Sequence, residues 1–149
     1  MLKEFKIEVK PLHVDFSANT DVKYYEDIIA KPLKDLNVTI VVNNAGLIGS
    51  SLRKLTPKQV RDVTIVNTLP QVMMTKLFLG NFLKKAQEKN SILENEQMVA
   101  RKVGGAFIDI SSAVAYDPIH FESLYSATKA FGHYLTLGEA ISNKGQVDY

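Results

Sequence analysis

The chain of 149 residues contains no cysteine and no tryptophan, and no glycine precedes Gly46. The lack of cysteine excludes disulfides, thiol nucleophiles and thiolate metal sites, and it fits a reducing compartment. No apolar run approaches the ~18 residues that a membrane-spanning helix needs, and Met1-Leu2-Lys3-Glu4 does not start a signal peptide. A charge excess of one sign is missing too. The formal net charge of +2 is too small to argue for a nucleic acid or an anionic membrane surface as partner. His13, His120 and His133 show no metal-ligand spacing, so no metal is expected. What remains, at 46% hydrophobic and 23% charged residues, is the composition of a soluble globular chain of one modest domain, residues 1–149.

Strand and helix signals alternate along it. A β-prone stretch over residues 7–16 reads as a first strand, with Pro11 placing it at an edge because proline cannot donate to the ladder. Asn19, Thr20 and Asp21 are start signals for a helix through Tyr25, Ile28 and Ile29 that has to end or kink near Pro32. The β-branched run 38–42 is a second strand, and Asn43-Asn44-Ala45-Gly46 breaks it at its carboxyl end. Thr56 and Pro57 cap a long helical region past Val60, Val63, Leu77 and Phe82. Residues 106–110 form a third strand, and a closing helix carries Leu137 and Ile141. Such alternation argues for a parallel sheet with flanking helices.

Chemistry enters with Tyr125-Ser126-Ala127-Thr128-Lys129. A four-residue step on a helix sets the Tyr125 hydroxyl and the Lys129 ammonium on one face. A free tyrosine titrates near pH ~10, and a fixed positive charge beside it favours the phenolate. Ser112 lies at the end of the third strand, ahead of this pair. Asn67 stands in the long helix, and Pro70 three residues on cannot donate to the carbonyl of Val66, so a distortion is expected beside Asn67.

Together, in this order, the Asn43–Gly46 turn, Asn67, Ser112 and the Tyr125/Lys129 pair resemble the short-chain dehydrogenase/reductase family. The Tyr-Ser-Ala-Thr-Lys-Ala-Phe stretch and Val14-Asp15-Phe16-Ser17 resemble its hydroxysteroid dehydrogenase and long-chain 3-oxoacyl-CoA reductase branch. The resemblance implies an α/β fold, a partial Rossmann-like, doubly wound parallel sheet. It implies an NAD(P)-dependent oxidoreductase interconverting a ketone and a secondary alcohol, with the branch resemblance pointing to a lipid-like one (a 3-oxoacyl chain or a steroid) and with either NAD or NADP as cofactor. By the same resemblance Asn67, Ser112, Tyr125 and Lys129 are catalytic. Tyr125 exchanges the proton, Lys129 assists it and binds the nicotinamide ribose, Ser112 polarises the carbonyl, and the Asn67 main chain holds a water. Asp15, Phe16, Asn44, Ala45 and Gly46, with Tyr125 and Lys129, bind the cofactor.

A nucleotide-binding fold needs a Gly-rich first turn at the pyrophosphate, and this chain has none. Against the family pattern it reads as an incomplete member, lacking that loop and the last strands, and inactive in isolation. Residues 84–105 exceed the family's usual link and read either as a solvated helical excursion or as a partner-binding insertion. Pairing as a homodimer through the two long helices is expected, with Val72, Leu79, Phe131 and Leu135 as contacts; membership of a larger assembly is the other possibility. The expected location is cytoplasmic or organelle-associated, on endoplasmic reticulum or mitochondrion. The competing reading is a non-catalytic structural or assembly subunit derived from the same family.

Overall fold

The computed structural model describes residues 7–18, 20–93 and 103–149. In chain order the elements are α1 (Val22–Tyr25), a π turn (Glu26–Ala30), α2 (Lys31–Leu33), β1 (Ile40–Asn43), α3 (Pro57–Leu93), β2 (Ala106–Asp109), a 3₁₀ turn (Ala113–Ala115) and α4 (Ser123–Ser142). β1 and β2 pair in parallel, Val41 opposite Phe107 and Asn43 opposite Asp109. On the other side of β2 the chain end joins it. Ala106 bridges Asp148 in parallel, the Phe107 N–H donates to the Asp148 carbonyl at 2.9 Å, and the Asp148 N–H donates to Gly105 at 3.1 Å. Asp148 adds an isolated bridge to the two-stranded sheet.

Local chemistry explains the boundaries. At the start of α3 the Thr56 hydroxyl accepts from the Gln59 N–H at 3.2 Å, while the Gln59 side-chain oxygen accepts from the Thr56 N–H at 2.9 Å. This reciprocal capping box, with Pro57 in the first turn, satisfies donors that a helix start leaves orphaned. Asp21 caps α1 by accepting from the Lys23 N–H at 3.0 Å. The turn that follows is widened: the Lys31 N–H bonds to the Glu26 carbonyl, five residues back. Pro32 accounts for it, since the ring lacks an N–H and crowds the carbonyl four residues earlier.

The expected strand over residues 7–16 does not form. Residues 7–15 adopt no regular structure and 16–18 form a turn. A strand exists only through a partner, and among the described residues β1 pairs on its β2 side alone. The Asp15 backbone oxygen instead accepts from the Ala18 N–H at 3.2 Å and from the Tyr24 hydroxyl at 3.0 Å.

The core sits between one face of the sheet and the helices. Tyr25, Ile29, Val41, Phe78, Phe82, Phe107 and Val147 are its buried members, and Met73, Met74 and Leu79 pack against them. Phe82 meets Phe107 with ring centroids 5.1 Å apart, and Tyr149 stacks on Phe107 at 5.3 Å. Met73 and Met74 are therefore packing residues, as their place beside Leu77 suggests, and Leu79, partly buried, packs against the same core. Gly104 shows how tightly the segment before β2 lies on α3: a Cβ there would stand 1.7 Å from the Phe82 carbonyl oxygen. Of the stretch 84–105, residues 84–93 continue α3 as helix, and residues 94–102 lie outside the described residues.

Candidate functional site

The carboxyl ends of β1 and β2 and the facing sides of α3 and α4 enclose a cavity of about 150 Å³. Phe16, Asn44, Ala45, Asn67, Ser111 and Lys129 are among the residues that line it. Open α/β sheets place ligands outside the carboxyl ends of their strands, so the topology itself marks this spot.

Lys129 is the charged centre. Its ammonium donates to the Ile110 carbonyl at 2.7 Å and lies 5.8 Å from the centre of the Tyr125 ring, one helical turn earlier on α4. Burial pushes the Lys129 ammonium below the ordinary lysine range. An ammonium has three donors, and the Ile110 bond uses one of them. The Tyr125 side chain is half-buried, and its backbone carbonyl accepts from Thr128 at 2.7 Å.

Asn67 is buried, and its side chain acts as a brace. Its oxygen accepts from the Leu47 N–H at 2.7 Å, and its amide donates to the Leu47 carbonyl at 2.8 Å and to the Thr128 hydroxyl at 3.0 Å. The loop after β1 is thereby tied to α3 and α4 together. Pro70 follows within α3 and also lines the cavity. Gly46 lies over the brace. A Cβ at Gly46 would stand 3.4 Å from the Asn67 side-chain oxygen and 3.9 Å from the Lys129 ammonium. Backbone approaches the charged group closely there, as a site that wraps a ligand in main chain requires.

Ser112 precedes the 3₁₀ turn, and its hydroxyl accepts from the Val114 N–H at 3.4 Å. Accepting leaves the hydroxyl proton to be directed elsewhere. Asp15 is placed differently. Its carboxylate closes a local turn on Ser17, accepting from the hydroxyl and the N–H at 2.8 Å each, and these bonds hold it below the usual carboxylate range. Asp15 is exposed outside the cavity, whereas Phe16 lines it and stacks over Tyr25 at 6.2 Å.

Three residues that sequence reasoning passes over sit beneath these. The Asp109 carboxylate accepts from the Asn43 amide at 2.6 Å on one oxygen and from the Thr136 hydroxyl at 2.6 Å on the other. Gln71 donates to the Gly132 carbonyl and the Thr136 hydroxyl, both at 3.2 Å. A helical step of seven from Lys129 to Thr136 was the available signal. His133, to which no chemistry was assigned, also lines the cavity and meets the Tyr116 hydroxyl at 3.2 Å. Among the described residues no group of acidic or histidine side chains could hold a metal ion, and no helix is long and apolar enough to cross a membrane.

A parallel α/β sheet with a tyrosine and a half-buried lysine one turn apart at its carboxyl edge defines a Rossmann-like class of fold. The chain belongs to the short chain dehydrogenase family, whose model matches residues 1–143. It is 30% identical over 152 residues to the very-long-chain 3-oxoacyl-CoA reductase of Bos taurus, covering 97% of this chain and 42% of the relative. It is likewise 30% identical over 135 residues to putative steroid dehydrogenase 1 of Caenorhabditis elegans, covering 87% of this chain and 37% of that one. The chain thus spans about two-fifths of these relatives' length. An alcohol dehydrogenase from Thermococcus sibiricus, solved with 5-hydroxy-NADP, superposes with a TM-score of 0.75 at 23% identity, over 99% of this chain and 55% of that one. A short-chain dehydrogenase from Sphingobium yanoikuyae in complex with NADPH gives 0.74 at 22%, over 95% and 48%. These likenesses establish the Rossmann-type fold.

Proposed function

We propose that the protein is an NAD(P)-dependent oxidoreductase that interconverts a ketone and a secondary alcohol, with these residues forming its proton-transfer side. The observation that carries this reading is Lys129: a desolvated ammonium, anchored by a single carbonyl, one turn from a tyrosine at the sheet's carboxyl edge. In reduction the Tyr125 hydroxyl gives its proton to the ketone oxygen, and in oxidation the phenolate takes it back. Lys129 favours the phenolate that forms. Ser112 turns its proton toward the carbonyl oxygen, where negative charge develops. Asn67 holds the loop over Lys129 by its side chain, and its main chain is the proposed seat of a water linking Lys129 to solvent.

A nicotinamide cofactor fits the residues present. The free donors of Lys129 suit ribose hydroxyls, and Asn44, Ala45 and the Cβ-less Gly46 offer backbone for close approach, with Phe16 and Asp15 toward the adenine. When bound, such a group supplies or accepts the hydride. The choice between NADP and NAD stays open in this proposal. The loop from Ser112 to Tyr125 exposes Tyr116, Ile119 and Phe121, which supports an apolar, lipid-like ketone such as a 3-oxoacyl chain or a steroid. Phe131, Tyr134 and Ile141 are exposed on α4, and they support pairing of two copies across that helix.

The test uses the protein tagged at its own locus and purified from its native cells, wild type against Tyr125→Phe. Ketone reduction with NADPH or NADH is expected in the wild type and is expected to fall by roughly 10³-fold in the variant, with cofactor affinity nearly unchanged, as for loss of a proton donor. Turnover surviving in Tyr125→Phe would overturn the reading. So would a wild type that binds cofactor yet reduces no 3-oxoacyl, steroid or simple ketone; that outcome favours a structural subunit of the same family.

A further inference from the structure

Most residues of the proposed site hang from three chain segments. Asn44 to Gly46 follow β1, Ser112 and the Ile110 carbonyl follow β2, and Tyr125 and Lys129 ride on α4. Besides the bond from Lys129 to Ile110, two hubs of side-chain hydrogen bonds join segments of this set among the described residues. Asn67 is one, tying the loop after β1 to α4 above Lys129. Asp109 is the other, and it joins all three. It belongs to β2, one residue before the carbonyl that grips Lys129. Its carboxylate oxygens accept from Asn43 at the end of β1 and from Thr136 on α4, two turns beyond Lys129 on the same helix face.

We infer that Asp109 is a positioning residue for Lys129, a three-way clasp that fixes the Ile110 carbonyl under the ammonium and α4 against both strand ends; this rests on the role proposed above for Lys129. The geometry favours placement over charge as the way it acts. Both Asp109 bonds are short, at 2.6 Å, and they leave from different oxygens, so the carboxyl plane cannot rotate without breaking one. Thr136 is held in turn: its hydroxyl lies 2.9 Å from the Gly132 carbonyl and accepts from Gln71 at 3.2 Å. An asparagine at 109 would keep the clasp. Its oxygen would accept from Asn43, its amide would donate to Thr136, and the Thr136 proton would turn to Gly132. An alanine would break both bonds and strand the Asn43 amide without an acceptor.

The experiment compares wild type, Asp109→Ala, Asp109→Asn and Thr136→Val in the natively purified protein. Lysines are reductively methylated with a ¹³C label and titrated by NMR, and the Lys129 signal is assigned by its loss in Lys129→Arg. The expected result is that Asp109→Ala and Thr136→Val move the Lys129 titration up toward the ordinary lysine value, while Asp109→Asn leaves it depressed. Thr136→Val preserves side-chain shape and serves if Asp109→Ala does not fold. Where the wild type reduces ketones, kcat should fall roughly 10- to 100-fold in the alanine variant, as for a misplaced catalytic group, and stay within about twofold in the asparagine variant. A lower melting temperature with an unmoved Lys129 titration would show a merely structural contact and overturn the inference. An asparagine variant as damaged as the alanine one would overturn it as well, since the charge and not the clasp would then matter. A wild type without ketone turnover would sink the proposed activity, while the NMR arm still decides the role of Asp109.

Discussion

Phe107 and Ile108 are neighbours on β2, yet the ring is 1% exposed and the isoleucine 47%. The two faces of the sheet differ in the same way throughout. Val41 and Phe107 lie on the covered face against Phe78 and Phe82, while Ile40, Val42, Ile108 and Ile110 stand on the open one, each about half exposed. A strand built to face water on one side alternates apolar with polar residues; these strands carry large apolar residues on both sides, Val41 and Phe107 on one and Ile40, Val42 and Ile108 on the other, the pattern of a parallel sheet covered twice. The sequence therefore encodes two buried faces, and the described residues cover one. Stability should reside almost entirely on that one.

The largest effect expected from this asymmetry is at Phe107. Phe107→Ala should cost about 3–5 kcal/mol, because the ring is enclosed by Phe82 and Tyr149 and the void cannot fill with water. Ile108→Ala should cost well under half of that in the same urea titration. Equal costs would mean that the open face is covered in solution.

A second effect sharpens the dryness of the covered face. Burial, with Glu139 nearby, pushes the Tyr149 phenol up to about 12. The folded state then holds a proton that the unfolded chain loses near pH 10, so this contribution to stability is complete below pH 10 and is lost as pH rises toward 12. In Tyr149→Phe the decline between pH 10 and 12 should be shallower than in wild type, read from urea midpoints at fixed pH. Parallel declines would place Tyr149 in water.

The smallest effect belongs to the open face. Ile40→Thr and Val42→Thr should change stability by about 0.5 kcal/mol or less, as surface changes do, yet reduce binding of an apolar dye to the chain. Dye binding that stays constant would locate the accessible apolar surface elsewhere.

How legible was all this beforehand? Strands 40–43 and 106–109 fall within two residues of expectation, because β-branched runs bounded by Asn43-Asn44 and by Ser111-Ser112 carry their own limits. The Tyr125/Lys129 pair was readable because one helix turn relates its members. The clasp of Asp109, Asn43, Thr136 and Gln71 was not, since its members lie on separate elements, with bonded pairs as much as 66 residues apart, and no local spacing links them. Residues 7–16 were misread for a related reason: β propensity can be seen in a segment, but the partner that makes it a strand cannot. The widened turn before Pro32 was foreseen as an end or kink and emerged as a continuation, because the helix could shift its bonding by one residue.

The parallel register of β1 and β2 has a kinetic side. Asn43 and Asp109 must find one another across a separation of 66 residues, and most of that span is the 37-residue α3. A helix of that length is a rod of roughly 55 Å at ~1.5 Å per residue, and it runs back along the sheet, so that Lys85 reaches the Val38 carbonyl ahead of β1 and Phe82 meets Phe107 on β2. Closure of the ladder across that span, and not helix growth, should therefore set the folding rate.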